Sequence, residues 1–563
     1  MRTTRTLDIR GLGWSGYAPA ALGLLAAAAI GIGLGCHKEI TPSEPRTPRE
    51  IEVPEYLKDT VGELARFSGR EAVSVQGYGF VTGLDGTGTK VVPPGIRQQI
   101  LEMMHRHKVE NPEQILSSPD NAVVAVIGML EPGIAKGELF DLEVRALPTT
   151  ETTSLEGGFL LECDLARVQA SRGVEARSEV LAVGRGSVFV SPFAADEKGK
   201  GGGDPRIGRV LAGGKATKVR HFRLALLTPS VRTADQIVRL INARFPGAAK
   251  GTEDPGRVDL EVPREYLSAK DRFLDLVGAI YLRETPDARD QRVSLLLATL
   301  ESGKDMDRVS ICLAAFGPSV VPRIRQLTSN PSAAVRFYVG RTLAGLQDAT
   351  AVSILEPIAL DDGSEFQEMA VEALGRLQSG IGLGVLSRVL NARSARVRVA
   401  AWQATARLAP RTFVARTFAD RFTLSVVPTT AEPFVYVSRT LKPQVAIFGD
   451  VTIRPPVLAE TRRVSASAVE GAKQVVVITR WRGQDHRIEA PLDVRGFIEK
   501  SAASMGTEEK PGEGLDLGYG DVVGILNEMS RKHGLSAPVV LQPLQYHVMG
   551  DRPTARPIGE NEP

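Results

Sequence analysis

Apolar and polar positions change rhythm three times along this chain. In LFDLEVRAL (residues 139–147), Phe140, Leu142, Val144 and Ala146 alternate with Asp141, Glu143 and Arg145. That period of two is the mark of a half-buried strand. VSVQGYGFVTGL (73–84) alternates more loosely, and NAVVAVIGML (121–130) suits a buried strand. SEVLAVGRGSVFVSP (178–192) and GRVDLEVP (256–263) predict further strands. GIRQQILEMMHRH (95–107) sets Ile96, Ile100, Leu101, Met103 and Met104 on one helix face. In HFRLALLTPSVRTADQIVRLINARFPG (221–247) a strand ends near Leu227, and Ser230 or Thr233 caps a helix carrying Ile237, Leu240 and Ile241. KGKGGGDPRIG (198–208) reads as a loop.

From about 285 to 411 the pattern is helical throughout and repeats itself. VRFYVGRTLAGL begins at Val335, FQEMAVEALGRL at Phe366 and VRVAAWQATARL at Val397, a step of 31 residues each time. VVPRIRQLTSNP, AVSILEPIALDD and GLGVLSRVLNAR keep that step from Val320, Ala351 and Gly382. Ile324, Leu355 and Leu386 fall in register, as do Leu327, Ile358 and Val389. Such pairs bury their apolar faces only by stacking. The stretch resembles HEAT-type repeats, which usually serve as binding surfaces or spacers. Tyr338 and Trp402 read as packing, and Arg396 and Arg398 as helix-end or solvated charge beside a groove.

After Pro410 strands return in FVYVSRTLKPQVAIFGDVTIRP (434–455) and KQVVVITRWRGQDHRIEAPLDV (473–494). SMGTEEKPGEG (504–514) is a break, and LGYGDVVGILNEMSRKHG (517–534) a short helix with Val522, Val523, Leu526 and Met529 on one side. At the other end, Arg2, Arg5 and Arg10 precede the apolar run 20–35, which is short for a membrane span and suits an export signal. The run ends at Cys36, the candidate lipidation site of a lipoprotein-type signal. Leu34 sits one place later than the usual aliphatic position, so an ordinary cleaved signal and an uncleaved anchor stay open. A Pro-rich, charged tether follows.

Length and composition narrow the class. The 563 residues, 43% hydrophobic and 24% charged, describe several folded domains. The net charge of +3 falls to +1 without the first 35 residues, so nothing points to a nucleic-acid partner. Cys163 and Cys312 lie in different predicted domains and are not expected to pair.

Chemistry is sparse. Five glycines between Gln76 and Lys90 suggest a phosphate-binding loop, but Gly83 and Gly88 are followed by Thr89, and Lys90 comes one place late. The dinucleotide fingerprint fails too, because Thr82 stands where the third glycine belongs. The seven histidines are scattered, and His105 and His107 do not share a helix face. No triad signature surrounds the serines. No cofactor, metal or catalytic residue is expected, and a cell-wall hydrolase lacks its nucleophile or metal cluster.

The order of segments resembles the flagellar P-ring protein family. The family's G-Y-G-L-V-x-G-L-x-G-T-G is matched by Gly77-Tyr78-Gly79-Phe80-Val81-Thr82-Gly83-Leu84-Asp85-Gly86-Thr87-Gly88. Ser154 to Leu161, with Gly157 and Gly158, resembles S-L-x-G-G-x-L-L, and residues 234–245, with Asn242, resemble its A-x-x-I-A-x-A-I-N-x-x-F helix. VAIFGDVTIRP, with Gly449 and Asp450, resembles I-V-I-G-G-D-V-R-I-S-P with Phe448 in place of a glycine. GYGDVVGILNEM, with Asp521 and Asn527, resembles the C-terminal V-G-D-x-V-x-A-L-N helix. The resemblance implies a non-catalytic, periplasmic ring subunit at the flagellar basal body. Its partners would be further copies of itself in a closed ring, the rod, other ring proteins and peptidoglycan. The glycines then serve either subunit contacts or turns within the chain. The helical block and the lipoprotein-like signal depart from the family, which leaves open a relative recruited to another envelope scaffold. As such it would be a lipid-anchored adaptor in the inner or outer membrane, binding a protein partner through the repeats.

The expected architecture is α+β and multidomain, with mixed α/β P-ring-like domains interrupted by an all-α HEAT-like solenoid. Its parts are an export signal (1–36), a tether (37–55), an α/β region (56–284), helical repeats (285–411), a β-rich region (412–500), and a linker, short helix and Pro-rich tail (501–563).

Overall fold

The computed structural model of this protein describes residues 53–106, 108–167, 179–193, 204–378, 380–418, 421–481, 484–506 and 512–543. The export segment with Cys36, most of the tether, His107, most of the loop at 198–208 and the last twenty residues lie outside that set. The architecture is α+β, with a closed barrel, three open sheets and a long run of helices among the described residues.

The first strand, β1 (Ala65–Ser68), leads into the barrel. The barrel strands are β2 (Val73–Thr82), β3 (Ala122–Leu130), β4 (Leu139–Ala146), β5 (Phe159–Arg167), β6 (Val180–Ser187) and β7 (Ile207–Ala216). They close in the order β2-β3-β4-β7-β6-β5, all antiparallel. The alternation in β4 does what its period requires: Phe140, Leu142, Val144 and Ala146 are buried. The helix α1 (Pro94–Arg106) carries Ile100, Met103 and Met104 into the same core as Phe80.

β8 (Phe222–Leu226), β9 (Ala249–Gly251) and β10 (Arg257–Leu260) join β1 in a four-stranded sheet ordered β1-β8-β10-β9. The helix α2 (Val231–Arg244) packs there, with Ile237 and Ile241 buried. Ser230 caps it, its hydroxyl accepting from the Thr233 amide. The helix α3 (Lys270–Gly278) completes this unit with Phe273, Leu274 and Val277 buried.

The run of helices includes α4 (Pro286–Glu301), α5 (Met306–Ala315), α6 (Ala333–Gly345), α7 (Thr350–Leu360), α8 (Gln367–Leu374), α9 (Leu383–Val389) and α10 (Ala395–Leu408). Ile324, Leu355 and Leu386 are fully buried at equivalent places. The step of 31 residues also appears in polar links. The Gln378 amide donates to Gln347 Oε1 at 2.8 Å, and the Arg393 amide to Asp362 Oδ1 at 3.1 Å.

Beyond the helices, β11 (Val414–Phe418), β12 (Phe422–Val427), β13 (Phe434–Val437) and β14 (Gln444–Phe448) form a mixed sheet. Then β15 (Val457–Glu460), β16 (Val464–Ala468), β17 (Gln474–Trp481) and β18 (Gln484–Pro491) form an antiparallel meander. The helices α11 (Val494–Ala502) and α12 (Tyr519–Arg531) pack between these layers. The boundary drawn at residue 500 therefore falls inside a helix. The chain past Val539 also contributes structure: β19 (Val539–Leu541) pairs in parallel with β13.

Trp402 of α10 joins the helices to the mixed sheet. It meets Tyr436 and Phe448 edge-on, with ring centroids 5.8 and 5.9 Å away, and Phe448 stacks on Phe434 at 4.2 Å. Arg398 is not a solvated helix-end charge. It is 3% exposed, donates to the Glu432 carbonyl at 2.7 Å, and lies over the Phe434 ring. The carbonyl bond at Nη1 and the Phe434 ring offset the burial of the cation, although Nε has no acceptor.

Candidate functional site, a junction of the motif segments

The glycine-rich segment is the end of β2 and the turn that follows. Val75, Gly77, Gly79 and Val81 share the inward side of the strand. A Cβ on Gly77 would stand 2.2 Å from the Asp164 carbonyl oxygen, and one on Gly79 would stand 2.7 Å from Leu160 Cδ1 and 2.8 Å from Val126 Cγ2. The barrel is narrow enough that two strand positions must carry no side chain. The β2–β5 register shifts between Gln76 and Val81, the stretch that holds both glycines. Tyr78 faces outward and is 36% exposed.

Gly83 and Gly86 have φ of +78° and +79° with open space around them, so they are turn residues at the surface. The Gly86 amide donates to Asp120 Oδ1 at 2.8 Å. At Gly88 a Cβ would stand 2.0 Å from the Asn121 carbonyl oxygen, a backbone crossing. Gly77, Gly79 and Gly88 are thus accounted for within one chain.

The second motif segment is bound to the first. The Thr87 hydroxyl donates to the Ser154 carbonyl at 2.9 Å, and the Thr153 amide donates to the Thr87 carbonyl. Gly158 lies where a Cβ would strike Val81 and Leu84. Gly157, with φ of +74°, leaves room for Arg463, whose Nη1 would be 1.9 Å from its Cβ. Arg463 also reaches Asp521, with Nη1 3.5 Å from each carboxylate oxygen. Asp521 closes the start of α12 by accepting from the Gly518 amide at 3.0 Å. The neighbouring Arg462 pairs with Glu156 at 3.4 Å and donates to the Thr87 hydroxyl at 3.4 Å.

Three motif segments, far apart in sequence, therefore converge on the turn between β15 and β16. Burial raises the Glu156 carboxyl above its ordinary range, and the Asp521 charge adds to that; Arg462 and Arg463 oppose it. The same barrel side makes a second joint. Asp141 accepts from the Leu441 amide at 2.8 Å and the Ala212 amide at 2.7 Å, and burial raises its carboxyl despite these bonds. The Phe189 ring packs on Tyr519 at 5.3 Å. The remaining motif residues stand elsewhere. Asn242 clips α2 to β9 by a reciprocal pair of bonds with Ala249. Gly449 turns the chain after β14 with φ of +70°, and Asp450 is exposed. Asn527 is buried in α12.

Sequence reasoning missed Arg462, Arg463 and the inter-unit role of Asp141. The two arginines sit in a turn with no motif of their own, and Asp141 reads as an ordinary outward residue of an alternating strand. Among the described residues, no group of three or more His, Cys, Asp or Glu is placed to hold a metal ion, and no helix is long and apolar enough to cross a membrane.

Residues 60–293 match the family model described as flagellar P-ring protein. That match spans less than half of the chain, and over it the sequence is similar to the flagellar P-ring protein family. The P-ring match thus covers the barrel, the small sheet and the first half of α4. A flagellar P-ring protein of Caulobacter vibrioides is 31% identical over 212 residues, 36% of this chain and 55% of that protein. One from Anaeromyxobacter sp. is 27% identical over 309 residues, 52% of this chain and 78% of that protein. One from Geotalea uraniireducens is 25% identical over 360 residues, 61% of this chain and 88% of that protein. The chain spans about half the length of the Caulobacter P-ring protein and more of the other two.

Proposed function

We propose that this chain is a structural, non-catalytic subunit of a ring around the flagellar rod in the periplasm. The observation that carries the reading is the convergence of three P-ring motif segments on Arg462 and Arg463, within a chain whose residues 60–293 match the P-ring family. A joint of this kind fixes the angle between barrel and C-terminal layers, and a closed ring needs every subunit to hold the same angle. Copies associate in a closed ring through the P-ring-like domains at 56–284 and 412–500. The helices at 285–411 act as a HEAT-type array inserted between them, and Phe448, which stands in place of a family glycine, is where Trp402 docks that array. Gly83, Gly86 and Tyr78 are the motif residues left available for a neighbouring copy or for peptidoglycan. Lipidation at Cys36 would hold the ring to a membrane. The test is to purify hook–basal bodies from flagellated cells of the source organism and probe them for this protein. Enrichment with rod and ring components supports the reading; absence from intact basal bodies, with the protein plentiful in the membrane fraction, overturns it.

A further inference from the structure

The helical array carries a row of arginines that its own carboxylates do not balance. Arg376 and Arg407 occupy equivalent places one repeat step apart, and Gly345 holds the same place one step earlier. There Arg272 of α3 fills in: its Nη2 lies 3.6 Å from where a side chain of Gly345 would begin. Arg341 and Arg244 flank this row, and the Tyr266 ring lies among them, packed edge-on against Phe245 at 5.6 Å. Two carboxylates lie in ion-pair range of these five guanidiniums, while Asp275 and Asp307 act on Arg272 through their charge alone. Asp307 pairs with Arg341, and Glu372 lies 3.8 Å from Arg376.

Two further observations mark the row as incomplete. Arg272 has no hydrogen bond or ion pair among the described residues, although burial and the charges of Arg376 and Arg341 lower its pKa to about 10. Arg244 Nε and Arg341 Nε are buried without any acceptor. Buried donors left unpaired are costly. Arginines at helix ends are ordinarily explained by the helix dipole, and Arg407 does approach the Gly375 carbonyl at 3.5 Å. That account leaves Arg272, on another element, unexplained.

We infer that this row is a docking surface for an acidic, extended segment of a partner protein. Guanidinium forks match carboxylates in bidentate geometry. Packed helices stand about 8–10 Å apart, and three residues of extended chain span about 10 Å. Carboxylates at every third position of an extended segment would therefore meet successive arginines. The surface is shared between the inserted array and the neighbouring α2–α3 unit, and it does not depend on the ring reading.

The test uses the full mature chain and a fluorescein-labelled peptide of repeated Glu-Ser-Thr, with a Gln-Ser-Thr peptide and phosphatidylglycerol vesicles as comparisons. The expected result is binding of the Glu peptide alone, weakened by added salt. Arg407→Glu, at an exposed site, and Arg376→Gln should each weaken it about tenfold. Lys304→Glu, the same charge change off the row, should leave it unchanged. Equal binding of the Gln peptide, indifference to Arg407→Glu, or uptake of vesicles with no peptide binding would each overturn the inference.

Discussion

Replacing Gly77 by alanine tests the account of the glycine segment at its tightest point. The new Cβ would stand 2.2 Å from the Asp164 carbonyl oxygen and 3.4 Å from Leu165 Cδ2. The first neighbour is backbone in the adjacent barrel strand, so β2 or β5 must move by more than 1 Å, roughly, for normal contact. Overpacking of this kind costs about 1–3 kcal/mol. Gly83→Ala meets nothing within 4 Å but keeps a φ of +78°, at a cost of about 1–2 kcal/mol. Gly95→Ala, in α1 with open space around it, should be neutral or stabilise by about 0.5–1 kcal/mol. The assay is amide hydrogen exchange by mass spectrometry on peptides from β2 and β5, which report opening of the barrel itself. Tryptophan fluorescence is no substitute, since the barrel contains none. Gly77→Ala should lower protection there by about 5- to 150-fold, at about 1.4 kcal/mol per tenfold. Gly83→Ala should act only around its own turn. If β2 and β5 exchange in Gly77→Ala as in the unaltered chain, the glycines are not there to close a narrow barrel.

Other consequences follow from the joints. Trp402→Ala should cost about 3–5 kcal/mol and loosen the array from the mixed sheet, seen as faster exchange in both α10 and β14. Asp521→Asn removes the Arg463 pairing and weakens the start of α12, by about 1–3 kcal/mol, which exchange in 519–531 would register. Burial raises the Asp141 carboxyl in the folded chain, so the folded state holds that proton more firmly than the unfolded state. The stability this contributes is present at low pH and is lost as pH rises from the ordinary carboxylate value through the raised one. Asp141→Asn should abolish that part of the pH dependence, measured as the difference between two denaturation series. Burial pushes the thiols of Cys163 and Cys312 up to about 12; in a Cys36→Ser chain neither should react with a thiol reagent until the protein is denatured.

The elements were legible where period and burial coincide. The alternation of β4, the capped helix α2 and the step of 31 residues could all be read directly, because each is a local rule about which side faces a core. The reason for five clustered glycines was not legible. Only closure of the barrel brings Asp164 and Asn121 to them, and those contacts are set by register. Arg398 shows the same limit from the other side. Its spacing on α10 suggests a solvated charge, and only the docking of α10 on β13 and β14 buries it against Phe434. Arg462 and Arg463 carry no local signal at all, since a turn arginine gains its meaning from Glu156 and Asp521 across the joint.

The ring claim is tested most directly by electron microscopy of basal bodies from unaltered cells and from cells lacking this protein. The account predicts a rod-encircling ring at the middle of the envelope that disappears with the protein and returns on complementation. A ring that persists in its absence would contradict it.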